Sequence, residues 1–252
     1  MDAVLYDRDP PWAWLSLNRP EVHNAFDVTL RDGLFQALAT AEADPAIQAV
    51  CIMGRGPSFG TGGDLREFSL DPEPWRNKRV RRERDVWARL LHHRCLTVAL
   101  VHGHVAGSGL ELAMYCGLRL AAPDSRWLLP ETGVGLIPGA GGTQLLPRLT
   151  RPGRALGMML LGEPITGARA HHWGLAQALI EPDRARAPMR APGRAWLERH
   201  VAPLLRPVAD RGSGAAPEAA PALLRLGRLM RAGLDMPLPQ ALELESLAAG
   251  FA

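Results

Sequence analysis

The chain has 252 residues, 47% of them hydrophobic and 22% charged, with a formal net charge of +3. That length accommodates one sizeable core, and the composition lies near the globular average, which excludes a disordered or fibrous chain. The N-terminus MDAVLYDRDPPWAW lacks a basic segment followed by an apolar run, and no stretch nears the roughly 20 apolar residues of a membrane helix, so a cytoplasmic protein that does not enter a membrane is expected.

WAWLSL (Trp12 to Leu17) alternates enough to read as a strand, and RPEVHNAF after it carries the Pro and Asn of a turn. A helix capped by Asp27 should follow, with Leu30, Leu34, Ala37, Leu38 and Ala41 at helical spacing until Asp44-Pro45 stops it. AVCIM (Ala49 to Met53) suits a buried strand and ends in the glycine-rich GRGPSFGTGGDL. The charged residues 71 to 84 lead into a helix with Val86, Leu90 and Leu91 on one face. LTVALVHGHV (Leu96 to Val105) reads as a second buried strand, after which GSG opens the helix ELAMYCGL. Strand, glycine turn and helix recur, which predicts an α/β fold with its glycine turns gathered at one end of a sheet. Leu128 to Gly142 has too many glycines and prolines for a regular element, and beyond Ile180 the chain turns Pro/Ala/Arg-rich. The expected division is a core over residues 1–195 and a helical region over 196–252, whose apolar Leu223, Leu224, Leu226, Leu229 and Met230 need a partner surface.

Two glycine turns follow buried strands, at Phe59 to Leu65 and at Val105 to Glu111, and the second opens directly into a helix. Without Cβ atoms, such turns let a ligand oxygen reach free backbone N–H groups, and two converging donors would form an oxyanion hole. Glu111 heads a helix that is otherwise apolar, and Glu131 stands between Pro130 and a glycine-rich loop. Burial would raise their pKa toward the range useful for proton transfer. Cys51, Cys95 and Cys116 are odd in number and embedded in apolar runs, which suits reduced core thiols. The adjacent pairs His92-His93 and His171-His172 diverge on a helix, so no metal site is expected. No basic stripe interleaved with aromatics points to nucleic acid. The cations are almost all arginine, Lys78 being the exception, and guanidinium forks suit a phosphate-bearing ligand.

GHVAGSGLELAMYCGLRLAA, followed by LLPETGVGLIPGAGGTQLLPRL and preceded by FGTGGDLREF, resembles the signature region of the enoyl-CoA hydratase/isomerase (crotonase) family. LNRPEVHNAF and MMLLGEPITGARAHHWGLA are similar to further segments of that family, and the resemblance runs from about Trp12 to Ile180. It implies a crotonase-like spiral of repeated ββα units with a C-terminal helical region, homotrimers or homohexamers, and an acyl-CoA thioester substrate. No separate cofactor is implied, coenzyme A being part of that substrate. Carried over, the N–H groups of Gly63 and Ser108 bind the thioester carbonyl, and Glu111 and Glu131 are the catalytic pair. Asp64, Leu65 and Arg66 lie where the family lines the CoA and acyl path, while Val22, His23 and Ala25 resemble its nucleotide-end loop.

The expected activity is a lyase reaction, syn addition of water to a 2-enoyl-CoA in fatty acid metabolism. The alternatives are a Δ3,Δ2-enoyl-CoA isomerase and a non-catalytic acyl-CoA-binding partner subunit. The family usually continues into a further charged helix where this sequence ends at Ala252, so weakened nucleotide contacts are expected.

Overall fold

In the computed structural model, which describes residues 2–64, 66, 84–183 and 188–205, the apolar runs line up side by side as strands. A six-stranded sheet has the order β1 (Val4–Asp9), β2 (Trp12–Leu17), β3 (Ala49–Gly54), β4 (Leu96–Val101), β6 (Leu118–Ala121), β9 (Ala178–Leu179). β1 is antiparallel to β2, and every later pair is parallel. All six residues of β2 and of β3 are buried, so β2 is covered on both faces rather than on the one its alternation suggested. Tyr6, Asp7 and Arg8 on the edge strand β1 stay at least partly exposed, and such charges discourage further strand pairing.

A second row of extended chain runs beside the first. It holds β5 (His104–Ala106), β7 (Arg126–Leu128) and β8 (Ile165–Thr166), and the isolated bridges Gly60–Val105 and Phe26–Gly63 continue it. Thus β2, β3, β4 and β6 each pass into a short piece of this second row before the next helix. That repetition is the spiral of ββα units which the sequence resemblance implies.

The strand expected over Leu96 to Val105 is two strands in different sheets. Gly103 makes the break, with φ +56 and a Cβ position that would collide with the Pro57 carbonyl. Helix α1 (Val28–Ala43) is capped by Asp27, whose carboxylate accepts from Leu30 N at 2.8 Å, and it buries Leu30, Leu34, Ala37, Leu38 and Ala41 as its spacing predicts. Helix α2 (Val86–His92) buries Val86 and Leu90 but leaves Leu91 exposed. After these come α3 (Ser108–Tyr115), α4 (Gly142–Leu149), α5 (Pro152–Leu161), α6 (Gly167–His172), α7 (Arg190–His200) and α8 (Ala202–Leu205). The start of α7 falls in the Pro/Ala/Arg-rich stretch that shows little periodicity in sequence.

The chain divides into two compact units, Met1–Ala195 and Trp196–Ala252. The apolar residues singled out between 223 and 230 lie outside the described residues, as do Leu65 and residues 71 to 83. Among the described residues no helix is long and apolar enough to cross a membrane. All three cysteines are free and buried, and burial pushes the Cys95 thiol up to about 11.

Candidate active site

The two glycine turns pack backbone to backbone. Ala106 N donates to Gly60 O at 2.9 Å, and Gly60 N to His104 O at 3.2 Å. A Cβ on Gly109 would run into the Gly60 carbonyl, and one on Gly107 would lie 3.3 Å from Gly62 Cα. Only glycine permits this approach. It brings Gly63 and Ser108 to corresponding positions on neighbouring turns.

Both residues are half-exposed, whereas Gly62, Asp64, Gly107 and Gly109 beside them are buried. Gly62 O and Asp64 N bond to Phe26, so the extended pairing leaves the intervening Gly63 N–H pointing away from it. Ser108 is the first residue of α3, where an N–H has no partner within the helix. Among the described residues neither N–H donates a backbone hydrogen bond. The turns therefore present two unused donors at a helix N-terminus.

Glu111 lies one turn into α3 and is 1% exposed. Its Oε1 accepts from Ala140 N and from Gly142 N, both at 2.8 Å, so the loop before α4 fixes the carboxylate. Glu131 opens a 3-10 turn (Glu131–Val134) just beyond β7. A Cβ on Gly107 would stand 2.9 Å from its Oε1, and its Oε2 is buried with no hydrogen-bond partner among the described residues. Burial first, and the nearby Glu111 second, push the Glu131 carboxyl above its ordinary value. Two carboxyls with different surroundings thus flank the glycine turns: one is held by two amides, the other is held back from ionising.

The loop carrying Val22, His23 and Ala25 adjoins the Gly63 turn through Phe26 N to Gly62 O at 2.7 Å and Thr61 Oγ1 to His23 O at 3.2 Å. Its organiser is the buried Asn24, which the sequence marks as a turn residue but not as a site residue. Asn24 holds φ +56, accepts from Arg19 N and donates to the Arg55 and Ser58 carbonyls. A short polar side chain in a left-handed turn was the available signal. His23 Nδ1 lies 3.1 Å from Ser58 Oγ.

The Arg66 guanidinium grips both Asp64 oxygens, at 2.9 and 2.6 Å, and holds that carboxyl well below the usual carboxylate range. Asp64 therefore serves to fix Arg66, whose side chain is 71% exposed. Leu65 lies outside the described residues. Also missed were the amides of Ala140 and Gly142, and Tyr115, one helical turn beyond Glu111. His93 is buried with both ring nitrogens engaged, by Leu38 O and Cys95 N, and among the described residues no group of three or more metal-type ligands gathers.

Comparison with known proteins fits this geometry. The 2,3-dehydroadipyl-CoA hydratase of Escherichia coli (strain K12) is 34% identical over 183 residues, 73% of this chain and 71% of its own. The 1,2-epoxyphenylacetyl-CoA isomerase of the same organism is 32% identical over 194 residues, again 73% and 71%. A Thermobifida fusca YX protein solved in complex with CoA superposes with a TM-score of 0.81 at 25% identity, covering 98% of this chain and 91% of that one. Residues 12–203 match the family model of enoyl-CoA hydratase/isomerase, and the chain belongs to that family.

Proposed function

We propose that the chain is a hydratase, adding water in syn fashion to 2-enoyl-CoA thioesters. The observation that carries this is the pair of unlike glutamates beside two unused backbone donors. The N–H groups of Gly63 and Ser108 hold the thioester oxygen. Glu111, fixed by its two amides, takes a proton from water as the water oxygen attacks C3, and the C2=C3 electrons move onto the thioester oxygen. Glu131, whose carboxyl burial pushes above its ordinary value, delivers a proton to C2 as the carbonyl re-forms. Return of the proton from Glu111 to Glu131 restores the pair.

Coenzyme A belongs to the substrate in this reading and no other cofactor takes part. The CoA-bound relative from Thermobifida fusca supports it, and the same reading includes assembly into a homotrimer or homohexamer. The family includes enoyl-CoA isomerases as well as hydratases, so double-bond migration is the competing reaction, one that needs no water. Glu111→Gln and Glu131→Gln are each expected to lower kcat for hydration of crotonyl-CoA by at least about 100-fold, with oxygen from labelled water found at C3 of the wild-type product. Wild-type rates in both variants, or product free of solvent oxygen, would overturn the assignment.

A further inference from the structure

A row of three aromatic rings begins at Phe26, whose backbone pairs with the Gly63 turn, and ends at Tyr115 on the helix that carries Glu111. Phe26 bridges Gly63 through its backbone. Its ring stacks on Trp87 of α2 at 5.3 Å, and Trp87 lies against Tyr115 at 5.6 Å, with interplanar angles of 26° and 35°. Tyr115 stands four residues after Glu111 on α3, so the two share a helix face, and Ser108 lies three residues before Glu111 on the same side. The Tyr115 hydroxyl reaches Gly141: a Cβ there would sit 2.6 Å from it. Gly141 is the residue between the two amides that hold Glu111. Gly63, Phe26, Trp87, Tyr115, Glu111 and Ser108 are therefore linked in one circuit, with the two donors at its head and three half-exposed aromatic residues along one side.

We infer that this circuit holds the acyl group and that the substrate class is an aryl-conjugated enoyl thioester, of which cinnamoyl-CoA is the simplest. The inference rests on the hydratase reading above. With the carbonyl at the head and C2 and C3 between the glutamates, the acyl group continues past Glu111 toward Tyr115. Along α3 that path, from Ser108 to Tyr115, covers about 10 Å. A butenoyl group ends about 4 Å from its carbonyl carbon and a cinnamoyl group about 7 Å, from standard bond lengths, so the second comes about 3 Å nearer and, with the Tyr115 side chain leaning back toward the start of α3, meets the rings. A long alkyl chain also reaches them, but it loses rotamer freedom on ordering and forms no ring-to-ring pair. Burial, and after it the neighbouring Glu111, push the Tyr115 phenol above its ordinary value, further from ionisation.

The test compares kcat/KM for cinnamoyl-CoA, crotonyl-CoA and trans-2-octenoyl-CoA. The aryl thioester is expected to exceed the other two by about 3- to 10-fold, the size one or two aromatic pairs confer. The ratio of cinnamoyl to octenoyl should fall to near one in Trp87→Leu and in Tyr115→Leu, and survive in Trp87→Phe and Tyr115→Phe. A preference for octenoyl-CoA, or a ratio indifferent to all four variants, overturns the inference. Should no enoyl thioester be hydrated, the hydratase reading fails by itself. Calorimetry with 3-phenylpropanoyl-CoA and octanoyl-CoA then decides the pocket, tighter aryl binding supporting it and equal or weaker aryl binding refuting it.

Discussion

Glu131 shows how one side chain's surroundings set both stability and chemistry. Its Oε2 is buried and unpartnered among the described residues, and burial together with Glu111 raises its pKa. The folded chain thus binds this proton more tightly than the unfolded chain does. Glu131's contribution to stability is complete below the ordinary carboxylate value and is lost as pH rises through the raised one. Glu131→Gln cannot ionise, so it is expected to raise Tm by about 2 °C at pH 8 and by less at pH 4. Thermal scans at the two pH values check this, and an equal shift at both would show that burial is not what perturbs the group. In the proposed reaction the same proton goes to C2, so wild-type kcat for hydration should decline as pH rises through that raised value, a limb that a base acting alone would not produce.

At the scale of elements, the decisive contact is the packing of the Gly60–Gly63 turn on the N-terminus of α3, because it aligns two backbone donors rather than two side chains. The proposed role of Ser108 therefore lies in its N–H. Ser108→Ala is expected to keep kcat for crotonyl-CoA within about 3-fold, whereas Ser108→Pro should lower it about 100- to 1000-fold, the usual effect of losing an oxyanion donor. Proline suits the first position of a helix, so the loss should come without unfolding, and circular dichroism checks that. Comparable activity in the two variants would remove Ser108 from the site. This packing also marks where the sequence was readable. The buried face of α1 and its Asp27 cap followed from spacing because they depend on neighbours within one helix. The glycine turns and both glutamates were recognisable as local motifs, yet the grip of Ala140 and Gly142 on Glu111 was not, since it joins residues 29 and 31 positions apart through main-chain atoms that carry no residue signal. The division of Leu96 to Val105 into β4 and β5 was hidden for a similar reason. Its apolar run is continuous, and what requires glycine at the break is the carbonyl of the distant Pro57.

Across the whole molecule, the active-site turn opens onto an unusually apolar surface. Val134, Leu136 and Ile137, in and after the 3-10 turn that begins at Glu131, are 63%, 42% and 74% exposed, and Leu156, Leu160 and Leu161 on α5 are 56%, 63% and 70% exposed. The two elements are tied together by Thr132 Oγ1, which donates to Met159 O at 2.6 Å. Six large aliphatic side chains in water on adjoining elements are the mark of a contact surface, and the proposed homotrimer or homohexamer would cover them. Light scattering at micromolar concentration is expected to give a multiple of three times the 27.3 kDa chain mass, and Leu156→Asp with Leu160→Asp to shift it toward the single chain. Because Glu131 begins the same turn that ends at Val134, loss of that contact should reach the chemistry as well, so the double variant is expected to lose kcat as well as mass. A wild-type chain that scatters as a monomer would show that these side chains face water in the working protein and that the turn holds Glu131 without help from a neighbour.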